Sequence, residues 1–159
     1  MTPTTLAAIE AAHQKLGSEF QELTDMIAAF KAQPLRAVRI AETEIELRPD
    51  EHYAGIVLDE DGTPSHHLIL LPGDVDDVTW SKAKEFAAKA GGELPTRREQ
   101  SLLFANLKGQ FEERYYWSSE QHAAIDDYAW LQDFGYGDQN SDIKSAELRA
   151  RAVRRLTIQ

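Results

Sequence analysis

Apolar residues recur through positions 5–31 with an alternating spacing of three and four. Leu6, His13, Phe20 and Ile27 fall at one heptad position, and Ile9, Leu16, Leu23 and Phe30 at the other. Eight consecutive seam positions predict a helix that oligomerises through a coiled coil of nearly four heptads. His13 is the one polar intruder, and a polar residue there sets register or oligomer state at some cost in stability. The competing reading is an amphipathic helix packed on its own domain. Gly17 lies off the seam and weakens the helix by about 1 kcal/mol relative to Ala. Gln33-Pro34 ends it.

Beyond residue 35 the period shifts to two. Residues 36–40 and 44–47 alternate, the latter with acids outward, and 53–58 and 66–71 are apolar runs. Between those runs lies Asp61-Gly62, a strong hairpin-turn signal. Residues 80–90 return to helical spacing, with Trp80, Ala83, Phe86, Ala87 and Ala90 on one stripe, Thr79 as N-cap and Gly91-Gly92 as stop. Pro95 biases Leu94 to extended geometry. Thr96 followed by Glu99 spells a capping box. It opens a second helix from 97 to about 107, with Leu102, Leu103, Phe104 and Leu107 inward. Strands are expected at 115–118, 129–134 and 148–156, with Gly135-Tyr136-Gly137-Asp138 as a turn. The expected organisation is an oligomerising helix over 1–34 and an α+β domain over 35–159.

Charge sharpens this picture. The net charge is −10, and residues 42–77 hold eleven acids, with Arg48 their only Lys or Arg. Solvated loops and strand faces account for such a stretch. The alternative is an anionic surface that repels nucleic acid and binds a basic partner. Arg149, Arg151, Arg154 and Arg155 crowd the last strand and can pair with these acids. With no cysteine, disulfides and thiolate chemistry are excluded. Residues 1–5 lack the basic start of a signal peptide. No apolar run approaches the roughly 18 residues that cross a bilayer. The expectation is a protein made in the cytoplasm, with no membrane span.

Catalytic and metal motifs are weak. His66-His67 are strand neighbours whose rings point to opposite faces. Asp138, Asn140 and Asp142 match the first EF-hand ligands, but Ile143 and Arg149 stand where Gly and the bidentate Glu belong. Ser118 and Ser119 lack a nucleophile elbow, and no Gly-rich phosphate loop is present. No cofactor, metal or enzymatic activity is expected.

Several short blocks occur in a fixed order. They are Trp80, Ala83 and Ala87; then Gly92, Leu94-Pro95-Thr96-Arg97 and Glu99; then Tyr116-Trp117-Ser118-Ser119; then Ala129-Trp130 and Phe134; then Arg151-Ala152-Val153-Arg154. In that order they resemble the DUF1566 family, also called the Lcl C-terminal domain, over roughly residues 53–156. Gly92-Glu93-Leu94 departs from the family's frequent Trp-Arg-Leu. The resemblance implies a C-type-lectin-like fold, with two helices flanking small antiparallel sheets. It also implies a binding module of phage or prophage origin.

Two readings of the motif residues stand. Trp117 and Trp130 are packing residues on short strands, and Arg97, in the first turn of a helix, reaches an acceptor elsewhere. Alternatively Arg97, Tyr116 and Trp117 line a site, and the loops 119–128 and 135–146 add His122, Asp126, Asp127, Tyr136 and Asp138. The function expected is a virion-appendage or host-recognition protein that displays lectin-like heads on a coiled-coil dimer or trimer. Its ligand is another protein or a surface glycan. The alternative is an anti-defence protein whose acidic surface mimics nucleic acid and captures an intracellular host protein.

Overall fold

The structure is a computed structural model that describes residues 5–32 and 44–158. The chain divides into two units, Met1–Ala37 and Val38–Gln159. In the first, helix α1 runs Leu6–Lys31 without a break, and none of its residues is buried. Its seam is therefore bare: Leu6 is 71% exposed and Phe30 74%. The Ala32 N–H closes the helix on the Ala28 carbonyl at 3.0 Å. The expected stop at Gln33-Pro34 and the expected strand at 36–40 lie outside the described residues.

The second unit is mixed α+β. Its elements are β1 (His52–Leu58), β2 (Pro64–Leu70), β3 (Val75–Val78), α2 (Trp80–Lys89), α3 (Arg97–Leu107), β4 (Tyr115–Gln121), β5 (Tyr128–Asp133), β6 (Gln139–Ile143), β7 (Leu148–Ala150) and β8 (Val153–Thr157). They form a three-stranded sheet ordered β1-β2-β8 and a five-stranded sheet ordered β3-β7-β4-β5-β6. Neighbours are antiparallel except β4 and β7, which run parallel.

The hairpin β1–β2 turns where Asp61-Gly62 predicts. Gly62 sits at φ 83, and Asp59 and Thr63 close the loop with a 2.8 Å backbone bond. Helix α2 ends in a Schellman arrangement: the Gly91 N–H bonds the Ala88 carbonyl and the Gly92 N–H the Ala87 carbonyl. The Thr79 side chain makes no cap bond. Gly92 has a second role, because a Cβ there would lie 2.3 Å from the Val153 carbonyl oxygen. That close approach lets Glu93 and Val153 exchange two backbone bonds.

Three strand expectations change. Residues 44–48 alternate but form no strand, and Leu47 is exposed; alternation without a pairing edge is not enough. β3 arises in the acidic stretch where no strand is expected, and β6 within the expected loop 135–146, because both find an edge in the five-stranded sheet. The single strand over 148–156 is two strands in different sheets. Ala152 and Val153 are both fully buried, which breaks the period of two where the chain crosses between sheets.

The core has two parts. In one, Trp80, Ala83 and Ala87 of α2 pack on Leu94, Trp117 and Leu131. In the other, Leu103 of α3 packs on Ala54, Val57, Leu68, Tyr116 and Phe134. The small residues of α2 let Trp117 fill the space, and its Nε1 donates to the Val78 carbonyl at 2.9 Å.

Candidate functional site

The start of α3 is built from its own sequence. The Thr96 hydroxyl accepts the Glu99 N–H at 3.2 Å, and a Glu99 carboxylate oxygen accepts the Thr96 N–H at 2.7 Å. This turns the Glu99 carboxylate back toward the sheet, where it is 1% exposed. There Arg155 of β8 meets both its oxygens, Nε at 2.6 Å and Nη2 at 2.7 Å, and His66 Nε2 lies 2.9 Å away. Burial alone would push the Glu99 carboxyl up. The bonds from Arg155, the Thr96 N–H and His66 outweigh it and hold the group below the usual carboxylate range. With four donors on one carboxylate, Glu99 is an ionic hub with no lone pair pointed at a substrate.

This hub floors one end of a groove. A cavity of about 420 Å³ is lined by His66, Thr96, Glu99, Glu120 and Arg155. A second, of about 470 Å³, is lined by Ile56, Ser101, Leu102 and Ala105. The two share Val57, Leu58, Asp59, Glu60 and Arg98, so they are adjoining compartments, one charged and one largely apolar. Helical spacing puts Arg98, Leu102 and Ala105 on the face of α3 toward β1. The Arg98 guanidinium donates to the Leu58 carbonyl at 2.7 Å. A bulge at Gly55, φ 134, brings β1 close to Leu102, and Asn106 donates to the Ala54 carbonyl at 2.7 Å. The groove suits a ligand with an apolar body and a charged end.

The residues expected to line a site fall into three groups. Tyr116 and Trp117 are 1% and 0% exposed, so neither offers a surface to a ligand. They are core, because α2 and α3 pack on the two faces of β4. Arg97 and His122 do come together, and both stack on Trp130. The Arg97 guanidinium carbon lies 3.6 Å from the ring centre, and the His122 ring centre 5.2 Å away at 23°. Arg97 Nε also donates to the Gln139 side-chain oxygen at 3.0 Å, and the Arg97 backbone N–H to Glu120 at 2.7 Å. The cation that suits a helix N-terminus poorly is thus placed by a ring and a carboxamide.

Asp126 and Asp127 lie in the turn before β5. Lys144 ties that turn down through the Asp126 carbonyl, and its backbone N–H bonds the Asp127 carbonyl at 2.7 Å. Tyr136 and Asp138 sit on the β5–β6 turn, with Tyr136 91% exposed.

The acidic stretch is partly neutralised. Arg149 pairs with Asp74 and Asp76, and Arg154 with Glu51. The two histidines diverge as strand neighbours: His66 turns to Glu99, and His67 Nδ1 lies 3.0 Å from the Tyr53 hydroxyl. Among the described residues no three His, Asp or Glu side chains gather as a metal cluster. No helix among them is long and apolar enough to cross a membrane.

Sequence reasoning missed Gln139, Glu120 and Gln100. Gln139 bridges the Arg97 carbonyl at 2.6 Å and Gln132 at 3.0 Å, and Gln100, fully buried, donates to the Tyr116 carbonyl at 3.0 Å. Their partners lie 7 to 42 residues away, so no local pattern announces them. No protein-family model matches the chain, and no curated protein matches it.

Proposed function

We propose that the protein is a non-enzymatic binding module whose copies assemble through α1 and display the α+β unit as a head. The observation that carries this is the bare seam: seven large apolar residues in strict heptad register on one uninterrupted helix, each 48–74% exposed. A contiguous apolar stripe of this length marks an interaction surface. Its register fits a second copy of the same helix. A binding rather than catalytic head is supported by Glu99, whose carboxylate is fully engaged by Arg155, His66 and Thr96.

The finer reading is a C-type-lectin-like head of the DUF1566 type, phage or prophage encoded, serving in a virion appendage or in host recognition. The ordered motif residues support it: Trp80, Leu94, Trp117 and Phe134 pack the head, and Thr96 with Glu99 starts α3. Several weak sites on one oligomer gain avidity when they engage together.

Light scattering on the full chain tests the assembly. The expected mass is two or three times that of the protomer. The double variant Leu16→Asp/Leu23→Asp is expected to be monomeric, with the near-ultraviolet dichroism of the head unchanged. A monomeric unmodified chain at about 100 µM overturns the reading.

A further inference from the structure

A third cleft, of about 430 Å³, opens beside the β5–β6 turn, lined by Glu113, Arg114, Tyr115, Asp133, Gly135 and Tyr136. Asp133 is 7% exposed. Its Oδ1 accepts the Gly135 N–H at 2.7 Å and the Tyr136 N–H at 3.4 Å. Its Oδ2 has no hydrogen bond or ion pair among the described residues, yet the residue lines the cleft. The carboxylate is thus fixed by one oxygen, and the other is not sealed from solvent and stands free to accept.

The surroundings hold the turn in place. Phe134, the next residue, stacks on Phe111 at 3.8 Å and meets Tyr116 edge-on at 5.1 Å. The Phe134 N–H bonds the Arg114 carbonyl at 3.0 Å, which pins residue 114 to the turn. The turn itself depends on Gly137, φ 93, where a Cβ would lie 2.7 Å from the Phe104 ring. Tyr115 and Tyr136 add two exposed phenol rings, 50% and 91% accessible. Neither Glu113 nor Arg114 forms an ion pair among the described residues, so Arg114 does not neutralise either acid.

Two carboxylates against one guanidinium, with two ring faces, is the chemistry that receives a cation. We propose that this cleft binds a cationic side chain, the guanidinium of an arginine presented by a partner protein. Asp133 Oδ2 accepts its N–H groups and the tyrosine rings cover its face. The net charge of −10 favours the approach of a cationic partner to the protein. The site stands independently of assembly through α1.

The test uses the full chain, amide NMR, and two tripeptides: acetyl-Gly-Arg-Gly-amide and its neutral citrulline counterpart. The arginine peptide is expected to shift the Gly135 and Tyr136 amides saturably, and the citrulline peptide to bind about tenfold or more weakly. Asp133→Asn keeps an oxygen for the two turn N–H groups and replaces the open oxygen with a donor. Its spectrum is expected to stay dispersed while binding falls about tenfold or more. Tyr136→Ala, at a position outside the core, is expected to weaken binding severalfold. Equal binding of the two peptides, binding that survives Asp133→Asn, or no saturable shift of the turn amides overturns the proposal. So does saturation of the same amides by a neutral oligosaccharide that the arginine peptide cannot displace.

Discussion

At the scale of single residues, the chain uses its charges as internal fasteners. Glu99 caps its own helix and anchors Arg155 across to β8, so one side chain joins a local motif to a tertiary contact. Its lowered carboxyl ties stability to pH. The contribution is fully present above the ordinary glutamate value of about 4.5 and is lost as pH falls through the lowered native value. Glu99→Gln preserves the shape but leaves Arg155 with Glu93 as its one charged partner, and at neutral pH it is expected to cost about 2 kcal/mol in urea unfolding. The gap between variant and parent narrows under acid, where the parent carboxyl is also protonated. A gap that stays constant from pH 7 to pH 3 would show that charge is not the cause. The capping box was legible from Thr96 and Glu99 alone. The ionic hub was not, because His66 and Arg155 lie 33 and 56 residues from Glu99 in sequence.

At the scale of elements, β6 shows how an edge strand is kept from pairing with another chain. Lys144 bonds Asp127 and Asp133 bonds Asp138 at the two ends of the β5–β6 ladder. The alternation of an antiparallel pair then turns residues 140 and 142 toward β5, and 141 and 143 outward. The outward N–H groups of Ser141 and Ile143 are taken by the side chains of Asn140 and Asp142, at 2.8 and 2.7 Å. β3, the other edge of the same sheet, does likewise: the Asp77 N–H bonds the Asp76 side chain at 2.9 Å. These side chains blunt edges that would otherwise template association. Asn140→Val/Asp142→Val, placed in the Leu16→Asp/Leu23→Asp background, is expected to convert a monomer into concentration-dependent oligomers on size exclusion. A monomer at every concentration would mean that the edge is protected by other means. The same residues that read as a failed calcium loop in sequence are thus edge guards in the fold.

At the scale of the whole molecule, the two units follow different rules. No residue of α1 is buried, so its stability as a helix of nearly four heptads depends on what covers the seam. His13→Leu replaces the one polar seam residue and is expected to raise the thermal midpoint of the assembled helix by several degrees, read by far-ultraviolet dichroism. No change would place His13 outside the contact. In the head, local signals determined the hairpin at Asp61-Gly62, the glycine stop of α2, the capping box of α3 and the aromatic strand β4. Each depends on residues within a few positions of one another, where backbone geometry and side-chain reach decide the outcome. Tertiary structure decided the rest. It split the last strand between two sheets and made strands of part of the acidic stretch and of an expected loop. It sealed Tyr116 and Trp117 in the core while leaving Trp130 to stack with Arg97 and His122. It also left one oxygen of Asp133 open to a cleft. Which face of a strand is buried, and which buried charge finds a partner, depends on elements distant in sequence, and a local pattern carries no information about them.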